Sequence, residues 1–204
     1  LTGFSNHLDT DQLLVAPESL RSGLEARIHR EIEHARAGRP ARVIFKMNAL
    51  EDHDFTRLLY IAGRAGVQVD LIIRGISRIR PGVPGLSDNV RVISVIGRYL
   101  EHSRVFYFAN DGDPEYFIGS ADLMKRNLDE RIEVLAPIRQ PAHQARVEAF
   151  LQLLLAEQRQ TWELTDASWR RLSQAEGVGI HERLMAGAGT AEAAPPAPGA
   201  DLTP

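Results

Sequence analysis

Leu20, Leu24, Ile28 and Ile32 recur every fourth residue and predict one apolar stripe on a helix over residues 17–37. Pro17 fits the first helical position, and Gly38 fits a left-handed stop. The apolar run Arg42 to Met47 predicts a buried strand. A second helix is expected over 54–65, with Phe55, Leu58, Leu59 and Ala62 inward and Gly66 at its end. Residues 67–73 read as the next strand. This β-α-β order predicts two parallel strands joined by a right-handed crossover.

Residues 75–89 are rich in Gly and Pro and read as a loop. A third strand is expected over 90–96. Strands over 104–109 and 116–119 flank Asn110-Asp111-Gly112-Asp113-Pro114, the signature of a hairpin. A last strand is expected over 131–136. A long helix is expected over 141–162, with Val147, Phe150, Leu151 and Leu154 on one side. From about Gly177 the composition turns to Ala, Gly, Pro and Thr. Residues 186–204 carry too little apolar surface to offset their ordering entropy. The expectation is an α/β domain over 1–172, a mixed sheet flanked by helices, followed by a disordered tail over 173–204.

Composition narrows the chemistry. The 204 residues are 44% hydrophobic, enough for one domain with a real core. A net charge of −3 gives no bulk argument for nucleic acid or an anionic membrane, so any anion site must be a local cluster of arginines. With no cysteine, thiol nucleophiles, thiolate metal sites and disulfides are excluded. No apolar run is long enough to span a membrane. The chain begins at Leu1 without a charged-then-apolar leader and reads as an excised part of a longer cytoplasmic protein.

Candidate chemistry concentrates between Arg98 and Glu133. His102 and Arg104, two apart, are expected to project from one strand face. The Gly119-Ser120 turn can bring backbone amides to a phosphate. Glu133 is placed to accept a hydrogen bond from the His102 imidazole, fixing its tautomer. Arg74 ends a central strand, where ligands of open α/β sheets gather, and its planar fork suits phosphate oxygens. Lys46 and Asn48 end the first strand and are expected to face the same crevice. Arg131, next but one to Glu133, is assigned to the pocket; Arg126 is divided between pocket and ion pairs with Glu101, Asp122 and Glu130. A lone histidine in a hairpin is by default a surface group, and these neighbours are what set His102 apart. His7, His53, His143 and His181 have no supporting constellation. No metal site is assigned, and no Walker-type loop is present.

His102-Ser-Arg104 and Gly119-Ser120-Ala-Asp122 resemble the phospholipase D pattern His-x-Lys with a later Gly-Ser-x-Asn. Arg replaces Lys, Asp replaces Asn, and Ala109 stands where that pattern has Asp, departures that argue against a phosphodiesterase. The segments Tyr99-Leu100-Glu101-His102-x-Arg104-Val105 and Ser120-Ala121-Asp122-x-Met124-x-Arg126-Asn127-Leu128-Asp129-x-Arg131-Ile132-Glu133-Val134 more closely resemble the polyphosphate kinase family. Arg74-Gly75, Gly85 to Asn89 and Lys46-Met47-Asn48 also fit, so the resemblance covers about residues 10–160.

The resemblance implies a phospholipase D-like fold and the last catalytic domain of a larger enzyme. That enzyme passes the terminal phosphate of Mg-ATP to inorganic polyphosphate, with ADP as product. The family's phosphate-accepting histidine belongs to the preceding domain and has no counterpart here. Its ATP site uses an arginine and a histidine that look like Arg74 and His102. The implied roles are a phosphate clamp for Arg74 and transition-state stabilisation or acid/base work for His102. Arg104 and Arg131 would add positive field, and Glu133 would orient His102. Mg2+ is implied with the nucleotide, the upstream domains as partners, and a homo-oligomer for the intact enzyme; the isolated chain is expected to be inactive. Two alternatives stay open: a homodimeric phospholipase D-like phosphodiesterase or nuclease, and a non-catalytic module that binds ATP or polyphosphate.

Overall fold

Residues 12–188, except 158, 167 and 174–176, are described by a computed structural model. Strand β1 (Leu14–Val15) precedes helix α1 (Leu20–Arg36). The predicted stripe is the reason α1 packs: Leu20, Leu24, Ile28 and Ile32 are each at most 1% exposed. Pro17 does not open the helix. It lies in the turn before Ser19, where Ser19 Oγ accepts from the Val15 amide at 3.0 Å. Gly38 follows the helix with φ of +72°, the predicted left-handed stop.

Strands β2 (Arg42–Met47) and β3 (Gln68–Ile73) pair in parallel through helix α2 (His53–Arg64), as expected. Asp52 caps α2 by accepting from the Asp54 and Phe55 amides. β4 (Val90–Val95) adds parallel to β3. β5 (Arg104–Phe108) and β6 (Glu115–Gly119) form the predicted hairpin. Asn110, Asp111 and Gly112 all take positive φ at its turn. β5 runs antiparallel to β2.

The next strand, β7, covers Val134–Ile138 rather than 131–136. It is not the last strand. Helix α3 (Pro141–Ala156) stops well short of Trp162, and β8 (Thr161–Thr165) with β9 (Ser168–Arg171) extends the sheet beyond β4. Glu157 ends α3 with its own chemistry: Oε1 accepts from the amides of Arg159 at 2.8 Å and Gln160 at 3.3 Å. Helix α4 (Ile180–Ala188) forms inside the stretch expected to be disordered, with Ile180 fully buried. The rest of that stretch, from 189, lies outside the described residues.

Among the described residues the sheet has nine strands in the order β1-β7-β6-β5-β2-β3-β4-β8-β9. Side-chain alternation splits its two faces. Val43, Phe45, Val69, Leu71, Phe106 and Phe108 join the core under α1 and α2. Ile44, Ile72, Ile93 and Val105 meet Leu151 and Leu154 of α3 and Ile180 of α4. The result is the expected α/β fold, a mixed sheet between helical layers. Among the described residues no helix is long and apolar enough to cross a membrane.

Phe45 lies at the centre of the larger core. It is fully buried, 5.0 Å from the Phe106 ring and 5.4 Å from the Phe108 ring. Phe45→Ala is expected to destabilise the domain by about 3–5 kcal/mol, read as a lowered midpoint in urea denaturation. A loss below about 1 kcal/mol would show that the aromatic cluster is not what holds this face.

Candidate active site

Five strands present their functional ends at one edge of the sheet. β2 and β3 deliver Asn48 and Arg74 just past their carboxyl ends. β5 starts there with Arg104, β6 ends there at Gly119, and β7 begins there after Glu133. Bridges from Leu50 to Ser77 and to Leu123 tie together the loops that leave β2, β3 and β6. They enclose an open crevice of about 700 Å3, lined among others by Arg74, His102, Arg104, Asp122, Arg131 and Glu133. All five residues assigned from the sequence, His102, Glu133, Arg74, Arg104 and Arg131, therefore line one crevice.

A closed ring of hydrogen bonds organises its floor. Arg74 Nε donates to Asn48 Oδ1 at 3.2 Å. The Asn48 amide donates to Asp122 Oδ1 at 2.7 Å, and its side-chain Nδ2 adds a bond at 3.2 Å. Arg104 Nη2 donates to Asp122 Oδ2 at 3.0 Å, and its Nη1 donates to the His102 carbonyl at 2.9 Å. Arg74 Nη2 closes the ring 3.3 Å from His102 Nδ1.

Two consequences follow. A guanidinium only donates, so His102 Nδ1 accepts in this contact and Nε2 is the ring's remaining donor. Arg74 is held by Asn48 Oδ1 and His102 Nδ1 and, among the described residues, forms no ion pair, whereas the charge of Arg104 is paired with Asp122. Burial alone would raise the Asp122 carboxyl, but the hydrogen bonds from Arg104 and Asn48 outweigh it and hold the group below its usual range.

His102 lies in the segment before β5 and not on the strand. Its loop is fixed from below by Lys46, which does not face the crevice as expected. Lys46 is 4% exposed; its Nζ donates to the Ser103 carbonyl at 2.9 Å and pairs with Glu101 at 3.3 Å. Burial lowers the Lys46 ammonium and the Glu101 charge partly restores it. Glu101 Oε1 in turn accepts from the Ser103 amide at 2.8 Å.

The expected bond from Glu133 to His102 is replaced by another. Glu133 Oε1 accepts from Asn127 Nδ2 at 2.6 Å, both groups being buried, and Arg131 Nε lies 3.7 Å away. Asn127 is presented by a π-helical turn over Arg126–Glu130. Arg126 also lines the crevice and is exposed. Asn48 lines the crevice as expected from its place at the end of β2; what the sequence did not announce is that it links Arg74 to Asp122.

The fold and this edge define a class. Nuc from Salmonella typhimurium, a phospholipase D family member, superposes with a TM-score of 0.54 at 16% identity, over 76% of this chain and 97% of that one. At that identity the likeness is one of fold: the chain has a phospholipase D-like architecture. The family described as polyphosphate kinase C-terminal domain 2 matches residues 13–179, and the chain belongs to it. Polyphosphate kinase from Thermosynechococcus vestitus is 54% identical over 190 residues, covering 91% of this chain and 26% of the relative. The Streptomyces coelicolor enzyme is 52% identical over 172 residues, covering 84% and 23%. The crystal structure of polyphosphate kinase from Porphyromonas gingivalis matches with a TM-score of 0.78 at 35% identity, over 87% of this chain and 28% of that chain. The chain thus spans about a quarter of the length of these relatives.

Proposed function

We propose that this chain is the C-terminal catalytic domain of a polyphosphate kinase and binds the phosphates of ATP in the crevice. The observation that carries the reading is Arg74: a guanidinium with no ion-pair partner among the described residues, held by Asn48 and touching His102, at the carboxyl ends of two parallel strands. Such a site suits a transferring phosphoryl group, whose charge spreads over its equatorial oxygens. The terminal phosphoryl of ATP passes to a histidine of a preceding domain: the bond to the bridging oxygen breaks, a P–N bond forms, and ADP leaves. A polyphosphate end then takes the group from nitrogen, and both steps reverse. Arg74 grips the phosphoryl oxygens, and His102 donates to them through Nε2. Arg104, its charge paired with Asp122, holds the crevice floor, and the exposed Arg131 adds positive field at the rim. Glu133 acts by holding Asn127 and Arg131, not by orienting His102.

Asp122 and Glu133, the crevice carboxylates, are both engaged by protein donors. Among the described residues no three His, Cys, Asp or Glu side chains gather as a metal cage. Mg2+ is proposed to enter as part of the Mg-ATP substrate, held chiefly by its phosphates.

Label transfer from ATP marked in its terminal phosphate tests the reading. The chain alone is expected to stay unlabelled. With the upstream portion of the kinase added, acid-labile, base-stable protein label is expected on that portion. Label on these 204 residues alone would place the acceptor within them and overturn the half-site reading.

A further inference from the structure

The segment between β4 and β5 carries His102 yet has no regular structure of its own. Three anchors hold it. At one end the Ile96 amide donates to the Gln160 carbonyl at 2.8 Å. At the other, Lys46 and Glu101 hold Ser103. In the middle, the Tyr99 amide donates to His181 Nδ1 at 2.8 Å, with the two rings 5.5 Å apart.

His181 comes from α4, far along the chain, and is 8% exposed. Its helix is pinned beside the loop: Gln160 Oε1 accepts from the Ile180 amide at 3.0 Å, and Ile180 is buried against the α3 side of the core. The loop approaches so closely that a Cβ at Gly97 would lie 2.6 Å from His181 Nδ1. Behind the crevice His181 shares a small cavity of about 20 Å3 with Arg74, Lys46 and Glu101. One imidazole thus meets both the loop that carries His102 and the wall behind Arg74.

We propose that His181 is a positioning residue: its Nδ1 holds the loop at Tyr99 so that His102 and Arg74 keep their contact across the crevice. The effect on nucleotide rests on the kinase reading above; the effect on the loop does not. The accepting atom matters more than the ring. Asparagine can place an amide oxygen where Nδ1 is, whereas glutamine carries its oxygen one bond farther.

The test compares wild type with His181→Ala, His181→Asn and His181→Gln in the intact kinase. It reads amide exchange at Tyr99 and KM against kcat for Mg-ATP. His181→Ala is expected to lose Tyr99 protection and raise KM about fivefold, the equivalent of one ordinary hydrogen bond. Its thermal midpoint should stay near that of wild type. His181→Asn should restore both readouts to within about twofold, and His181→Gln should not. Unchanged Tyr99 protection in His181→Ala would overturn the proposal. So would a His181→Asn variant as impaired as His181→Ala, because the acceptor would then be irrelevant. Lost protection in a protein that never binds Mg-ATP would keep the positioning role and reject the nucleotide reading instead.

Discussion

His102→Ala is expected to lower kcat of ATP-dependent polyphosphate synthesis by about 10²–10³-fold, the range for losing one positioned hydrogen-bond donor to developing negative charge. The crevice gives the reason. His102 Nδ1 is occupied by Arg74 Nη2 at 3.3 Å, which leaves Nε2 as the donor toward a transferring oxygen. Losing the ring removes that donor and one of the two acceptors that hold Arg74. The side chain is exposed, so thermal stability should scarcely change. His102→Gln is expected to recover part of the loss, since its amide can donate weakly from near the Nε2 position, although its oxygen lies one bond beyond the Nδ1 that Arg74 contacts. Steady-state rates with labelled ATP and a melting curve for each variant settle the matter. A His102→Ala enzyme with full rate would remove His102 from the mechanism, and the clamp would then rest on Arg74 alone.

What could be read in the chain before its fold was known follows from range. α1, β2, α2 and β3 were legible because apolar spacing and glycine stops act within a few residues, and the β5–β6 turn because Asn110-Asp111-Gly112 suits left-handed backbone. β8 was not: Trp162 and Leu164 continue the apolar spacing of α3, and only pairing with β4 makes that segment a strand. β1 is two residues long and exists through β7. In the site, Arg74, His102 and Arg104 were legible as a cluster of residue types. Lys46 and Asn48 were expected in one crevice because both stand at the end of the first strand, but Lys46, still inside the strand, is buried against the His102 loop, and only Asn48, past its last residue Met47, lines the crevice. Glu133 found Asn127, presented by a π-helical turn that no local pattern announced. His181 was invisible because its partner is a backbone amide distant in sequence.

Asp122→Ala is expected to cost about 3–5 kcal/mol of stability, the range for stripping one partner from a buried ion pair. Asp122 is 6% exposed, and the Arg104 side chain paired with it is only 13% exposed. Alanine leaves that guanidinium buried without its counter-ion and the Asn48 amide without its 2.7 Å acceptor. Activity should fall with it, because Asn48 is also what Arg74 Nε holds. The pH dependence gives a second reading. The folded Asp122 carboxyl lies below its ordinary value of 3.8, so its contribution is complete above that value. It is lost as pH falls through the folded value. Glu101, also depressed below its ordinary 4.5, adds to the same acid limb, for although burial raises it, the Ser103 amide and Lys46 outweigh that. Thermal midpoints measured from about pH 7 down to about pH 3 should therefore drop for wild type below about pH 4.5 and drop less steeply for Asp122→Ala. Parallel curves would mean that Asp122 is not what couples protons to folding here. A stability loss under about 1 kcal/mol would mean that the Arg104–Asp122 pair is a solvent-screened contact and not the girder of the crevice floor.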